Sequence, residues 1–241
     1  MKLRNSVSAD ARRQMIEKQL GISLNVVGGL LIDDINNIHC ENLIGAVSLP
    51  LGVAGPITID SEDGKKDLLI PLATTEGALI ASVSRGAKVI SLSGGARVDV
   101  QNIGATRGPV FETSGIRESR NLEQWISQNM QPLSLVAART SDHLKLKDIR
   151  VRINGKYVYM RYIFDTEEAM GMNMVTIASD AIVSSIEEKT NAKCLAVAGN
   201  YDVDKKPSWL NIIEGRGRNC TAETTISSAL LREHLHIEVK H

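Results

Sequence analysis

The order of apolar and polar positions divides the chain into segments of different period. Residues 8 to 20 predict a short outer helix or arm: Ser8 or Asp10 stands ready to cap it, Arg12 to Gln19 favours helix, and Gly21 is a natural stop. From Asn25 to Ile59 the chain is aliphatic and punctuated by glycine (VVGGLLI, then ENLIGAVSLPLGVAGPITI), and Pro50 and Pro56 are expected to break it into short strands and tight turns. In PLATTEGALIASVSRGAKVI, the hydroxyl caps Thr74 and Thr75 precede Ala78, Leu79, Ser82, Val83, Gly86 and Ala87 at three- and four-residue spacing. This predicts a buried helix whose small face admits a close neighbour.

Beyond Pro109 the texture changes. Leu122 to Met130 predicts a helix, and Ile149, Val151 and Ile153 then alternate with Arg150 and Arg152 up to Asn154-Gly155. The β-rich KYVYMRYIF follows that turn, so a two-residue hairpin is the strongest local signal in the chain. A long helix is expected over roughly Glu168 to Lys189, with Met174, Ala178, Ala181, Ile182 and Ile186 on one face. Pro109 to about Ala196 therefore forms a compact α+β unit inserted into the rest, a second and smaller domain. The sequence contains no internal repeat and no low-complexity segment.

Composition narrows the function classes. In 241 residues, 28 Lys+Arg balance 28 Asp+Glu, apolar residues make up 43% and aromatics 3%. A sizeable core is available, while zero net charge and scarce aromatic faces argue against a nucleic-acid binder. Cys40, Cys194 and Cys220 are odd in number and form no C-x-x-C pair, which disfavours a disulfide framework and a structural zinc and suits a reducing, cytoplasmic setting. The charged N-terminus has no apolar signal region, and no run approaches the about 18 apolar residues of a membrane span.

Four clusters have chemical potential. Glu76 stands at an expected helix start in an uncharged stretch, either as a first-turn carboxylate favoured by the helix dipole or as a buried proton donor. In Asp204-Lys205-Lys206-Pro207, between a Gly turn and the apolar Trp209 to Ile213, the ammonium groups are either solvated or set to stabilise an oxyanion and hold an anionic substrate. Gly215 to Arg218 (GRGR) is either a flexible basic turn or a phosphate clamp. Glu168 to Met174 (EAMGMNM) offers either core methionines or a helix start on which a pyrophosphate rests. Neither G-x-G-x-x-G nor G-x-x-x-x-G-K-[ST] occurs, so any dinucleotide is held another way.

ENLIG with LPLGVAGP (Glu41 to Pro56), PLATTEGALIAS (Pro71 to Ser82), TRGPV (Thr106 to Val110), EAMGMNM, and GNYDVDKKP with EGRGR (Gly199 to Arg218) resemble, in order and spacing, the 3-hydroxy-3-methylglutaryl-CoA (HMG-CoA) reductase family, most closely its class I form. The resemblance implies an α+β fold: a large substrate-binding domain, with an inserted small, ferredoxin-like dinucleotide-binding domain at residues 108–197. The large domain is expected to comprise residues 1–107 and 198–241. It also implies reduction of HMG-CoA to mevalonate and CoA in the mevalonate pathway, with two NADPH, through an enzyme-bound hemithioacetal and aldehyde. Glu76 is the implied proton donor and Lys205 the implied stabiliser of the developing alkoxide. Arg107, Asn200, Asp204 and Lys206 match substrate-binding or site-organising positions, and Arg85 lies where the family contacts CoA. Ser141, Asp142 and Glu168, Ala169, Met170, Gly171, Met172, Asn173 and Met174 match the cofactor side, no metal is implied, and Glu41 to Gly45 corresponds to a dimer-forming stretch.

Departures from the pattern carry their own expectations. Glu168 replaces an Asp, Ala198 replaces a Ser, and Arg97 to Ile103 differs from the usual stretch. Asp142 stands where an Arg commonly meets the NADPH phosphate, and an acid there suits a ribose 2′-hydroxyl, which makes NADH an alternative cofactor. Past a segment like HIEVKH the family supplies an Asp partner and a thiolate-protonating His, and His234, His236 and His241 do not stand in that context. The chain is therefore expected to be truncated or one piece of a split enzyme, with a separate chain carrying the remainder and little turnover alone. The alternative is a catalytically incomplete remnant acting as a dinucleotide-binding or dimerising protein.

Overall fold

A serine side chain replaces a missing helical hydrogen bond at the head of α1 (Ala9–Leu20): Ser8 Oγ accepts from Ala11 N at 3.2 Å. Gly21, at φ 65°, closes the helix by donating to Glu17 O at 2.8 Å. The structure is a computed structural model that describes residues 8–28, 40–203 and 205–238. The glycine-punctuated residues 29–39, Asp204 and His241 lie outside the described residues. Among those described, no helix is long and apolar enough to cross a membrane.

The chain divides into two compact units, the first formed by residues 1–97 and 224–241 and the second by residues 98–223. In the first unit, α1 is followed by α2 (Asn25–Gly28), and Arg12 Nε and Arg13 Nη1 donate to the carbonyls of Leu43 and Ile44 at 2.7 and 3.1 Å. A mixed sheet then forms. β1 (Leu51–Ser61) pairs antiparallel with β2 (Gly64–Ala73), and its end pairs parallel with the start of β3 (Ala96–Arg107). The expected break at Pro56 is not made. β1 runs through the proline because the register shifts between Ala54 and Ile57, a bulge that spares the ladder the missing N–H.

The helix expected from Thr74 starts later, as α3 (Leu79–Leu92), with no side-chain cap. β2 claims the preceding residues as far as Ala73, and Thr74 Oγ1 accepts from Glu76 N at 2.9 Å in the turn between them. α3 lies so close on β1 that a Cβ at Gly52 would sit 2.6 Å from Ile80 Cγ1. Only Ala87 and Val89 of α3 are buried, so the expectation of a buried helix fails: among the described residues it packs on β1 and on little else beyond the turn at 231–235. α8 (Ser228–Leu230) and a π-helical turn (Leu231–Leu235) end the described part of this unit.

The second unit contains the hydrophobic core. Its elements are the rest of β3, then β4 (Val110–Glu112), α4 (Ile116–Gln128), α5 (Met130–Ala138), β5 (Lys145–Asn154), β6 (Tyr157–Asp165), α6 (Met172–Lys189), β7 (Lys193–Ala196), α7 (Trp209–Glu214) and β8 (Gly217–Glu223). The predicted hairpin forms, with its turn one residue later than expected: Asn154 stays in the strand and pairs with Tyr157 across Gly155-Lys156, with Gly155 at φ 60°. β3 and β4 share the other edge of β6, β7 pairs with β4, and β8 pairs with β3. From β4 to β7 the strand order is β7-β4-β6-β5, and every pair is antiparallel.

Period-two burial along β6 sends Val158, Met160, Tyr162 and Phe164 into the core with Leu122, Ile126, Leu133, Val175, Ile182 and Ile186 from the helices. Burial there raises the Tyr162 phenol well above its ordinary pKa. α6 begins at Met172 rather than Glu168, because Gly171, at φ 66°, turns the chain into the helix. The other face of β6 is covered as well, since Arg161 is fully buried there and is bonded to α7.

Candidate functional site

The expected site residues fall into both units, each with its own surroundings. In the first unit, Glu76 lies exposed in the turn ahead of α3, three residues short of the helix. Among the described residues Glu76 is therefore exposed rather than buried, with its N–H bonded to Thr74 Oγ1. Arg85, on the exposed side of α3, lines a hollow with Gly55, Pro56, Ser84, Lys88 and His234. Its two cationic side chains over an apolar floor suit a ligand with an anionic end. Of Glu41 to Gly45, Leu43 and Ile44 are anchored through their carbonyls to the arginines of α1.

In the second unit the cofactor candidates converge. A cavity of about 270 Å³ is lined by Thr166 through Met170, Met172, Gly104, Ala105 and Arg216 through Arg218. Unlike α1 and α7, which serines cap, α6 has no side-chain cap. Its N-terminal amides therefore keep their donor capacity for an anion. Arg216 Nε donates to Thr106 Oγ1 at 3.1 Å, which fixes that guanidinium beside the helix start, and Arg218 Nη2 donates to Glu168 Oε1 at 3.1 Å. Ser141 Oγ lies 3.4 Å from Met174 Sδ, so it joins the first turn of α6, while Asp142 is exposed. His143 Nδ1 bonds Glu167 Oε2 at 2.9 Å on the same rim. Two guanidinium groups and uncapped helix amides around one hollow fit the phosphate portion of a nicotinamide dinucleotide.

The lysine loop lies in the same unit. Lys205 is exposed and at φ 55°; Asn200 and Val203 are also left-handed, at φ 72° and 47°. Lys206 Nζ bonds Asn200 Oδ1, which brings those two candidates together. Arg107 Nη1 meets Asp202 Oδ2 at 3.4 Å and Nη2 donates to Thr176 Oγ1, so this guanidinium links β3, the loop and α6. Trp209 to Ile213 is not the buried segment expected: Trp209 is 74% exposed, because α7 turns only its Asn211 and Glu214 side towards β6.

Sequence reasoning missed four side chains here. Asp202 is 3% exposed and also accepts, through its backbone carbonyl, from Thr106 Oγ1 at 3.0 Å. Arg161 donates to Glu214 Oε2 at 2.8 Å and Gly215 O at 2.9 Å, and reaches Asn211 Oδ1 at 3.4 Å. The available signal was one arginine inside the otherwise apolar YVYMRYIF, where a charge is costly unless paired.

A family model described as hydroxymethylglutaryl-coenzyme A reductase matches residues 8–241. The chain is similar to the 3-hydroxy-3-methylglutaryl-coenzyme A reductase of Haloferax volcanii, with 41% identity over 230 residues, covering 95% of this chain and 57% of that protein. It is also similar to the enzyme of that name from Aeropyrum pernix, with 44% identity over 232 residues, covering 95% of this chain and 55% of that protein. It thus spans little more than half the length of the curated relatives it matches. Among solved structures it is similar to a class II 3-hydroxy-3-methylglutaryl-CoA reductase from Streptococcus pneumoniae bound to NADPH, at a TM-score of 0.65 and 18% identity, covering 95% of this chain and 61% of that one. At that identity the likeness concerns the fold.

Proposed function

The chain belongs to the hydroxymethylglutaryl-coenzyme A reductase family, and on that footing we propose that it contributes to reducing HMG-CoA to mevalonate and CoA with two NADPH. The observation that carries this reading is the second unit's cavity, where Arg216, Arg218 and the uncapped start of α6 surround one hollow. The βαββαβ run from β4 to β7 is read as a ferredoxin-like dinucleotide-binding domain at residues 108–197, set between large-domain parts at 1–107 and 198–241. The bound dinucleotide supplies hydride. Arg216 and Arg218 would hold its phosphates, and an acid at Asp142 would suit a ribose hydroxyl, which keeps NADH as an alternative.

Each hydride addition leaves an oxyanion on the substrate carbon, and a fixed ammonium is the group that stabilises it. Lys205 takes that role and Glu76 the role of proton donor. Arg107, Asn200, Asp204 and Lys206 hold the anionic acyl portion, and Arg85 the CoA. Homo-oligomer formation through Glu41 to Gly45, a cytoplasmic setting and a separate chain carrying the remaining part complete the proposal.

The test is a titration of the chain with NADPH and NADH, followed by nicotinamide fluorescence, beside steady-state reduction of HMG-CoA with and without a polypeptide bearing the family's C-terminal part. We expect dinucleotide binding by the chain alone, and turnover on complementation that Lys205→Ala abolishes. Absence of dinucleotide binding overturns the reading. Binding without turnover under either condition favours the second reading, a dinucleotide-binding or dimerising protein, to which the closed core of the second unit and the open first unit also point.

A further inference from the structure

We infer that Asn211, held in one orientation by Arg161, is the positioning residue for the backbone that carries Lys205. Arg161 is fully buried on β6, away from the aromatic core, and shares the Glu214 carboxylate with Arg150, which approaches it at 2.7 Å. A buried guanidinium is tolerated only when it is paired and its donors are used. Here Nη1 and Nη2 of the planar fork meet Glu214, the Gly215 carbonyl and the Asn211 side chain together, while Nε is buried without a partner among the described residues.

The consequence lies on Asn211. Arginine has donors and no acceptor, so the Asn211 atom facing Arg161 is the carboxamide oxygen. Its NH₂ then points the other way and donates to Val203 O at 3.1 Å and towards Lys206 O at 3.4 Å. Those carbonyls bracket Lys205. The bracketed segment is also strained: Val203, a β-branched residue, and Lys205 both stand at positive φ, with Asn200 just before them. Such conformations persist where the surroundings over-determine them. Lys206 Nζ on Asn200 Oδ1 ties the ends of the loop, while the carbonyls on either side of Lys205 are held by a side chain from α7, oriented from β6.

The catalytic consequence rests on the reading of Lys205 given above, but the structural claim stands without it. Asn211→Asp keeps the acceptor for Arg161 and turns a second oxygen towards the two carbonyls, and Asn211→Leu removes both functions at similar volume. In the full chain, amide hydrogen exchange followed by mass spectrometry is compared for residues 200–208 and for α6. We expect both variants to speed exchange in the loop by about tenfold while α6 is unchanged. Trypsin cleavage after Lys205 is expected to speed up in parallel.

In the complemented turnover assay, Asn211→Asp is expected to lower kcat towards the level of Lys205→Ala while KM for NADPH holds. That split is one a general loss of structure does not produce. Loop exchange and cleavage at wild-type rates in both variants overturn the inference, as does exchange that rises equally in α6. Unaltered turnover in Lys205→Ala overturns the functional reading instead, and the exchange result then still decides the positioning role.

Discussion

The two units treat the same kind of residue in opposite ways. In the second, Phe111, Leu133, Phe164, Ile182 and Ile186 are fully buried in one cluster shared by the sheet and three helices. In the first, β1 and β2 form a regular ladder and α3 packs on β1, yet Leu51, Val53 and Leu69 are 70%, 57% and 66% exposed, and the buried apolar residues are nearly all alanines. Secondary structure is equally well formed in both. A satisfied backbone ladder and a closed core are thus separate achievements: local pattern suffices for the first, while the second needs a partner layer for every apolar face. An apolar face of this extent is the kind that folded proteins cover.

The comparison can be broken most forcefully in the two cores. Phe164→Ala is expected to cost about 3–5 kcal/mol in a urea melt of the chain, as a large buried side chain leaves a cavity. Val53→Ala is expected to stay within about 0.5 kcal/mol, as at an open surface. An equal loss from Val53→Ala means that the face is covered in solution, and the contrast disappears.

A pair of glycines offers a test in which even the sign differs. Gly104 lies at φ 116°, where a Cβ would stand 2.5 Å from the Phe164 carbonyl oxygen, so Gly104→Ala is expected to destabilise by more than about 1 kcal/mol. Gly86 sits inside α3 with nothing within 4 Å of an added Cβ. Gly86→Ala is therefore expected to stabilise by about 0.5–1 kcal/mol, read as a rise in thermal midpoint. Destabilisation at Gly86 would reveal a neighbour packed on that face.

The smallest effect is chemical. Burial raises the Cys194 thiol, whereas Cys40 and Cys220 are exposed. A raised thiol holds less thiolate near neutrality, so iodoacetamide is expected to modify Cys40 and Cys220 first, with the gap narrowing as pH rises. Mass spectrometry of the alkylated peptides gives the order. Early modification of Cys194 would show that the core beside β7 opens.

What the sequence disclosed follows the same division between local and distant causes. The ends of α1 were legible because Ser8 and Gly21 act on their own helix, and the hairpin at Gly155 was legible because its turn is local. Ala178, Ile182 and Ile186 of the buried α6 face were legible from the period, but Met174 and Ala181 lie only half-buried and Val175 and Val183 take the centre, and the start was placed early because the effect of Gly171 depends on a backbone angle. Burial of α3 and of Trp209 to Ile213 was misjudged, since burial depends on what lies opposite and not on the segment itself. The motifs marked Lys205, Lys206, Arg107 and the EAMGMNM turn, but not Arg161, Asn211 and Glu214, whose roles appear only when β6 meets α7. Strand β1 ran through Pro56 because a bulge, invisible to composition, absorbed the missing donor.

The backbone crossing at Gly108 and Gly199 has a further consequence. Gly199 N donates to Gly108 O, and a Cβ at Gly108 would stand 2.5 Å from Asp202 N, so the chain enters and leaves the stretch between them through a gap one hydrogen bond wide. With its two ends held this close, the stretch forms a closed loop, and the contacts inside it offset the entropy of closing it. Nearly all of the aromatic and aliphatic core lies within that stretch, so those contacts hold its ends together as well as its middle.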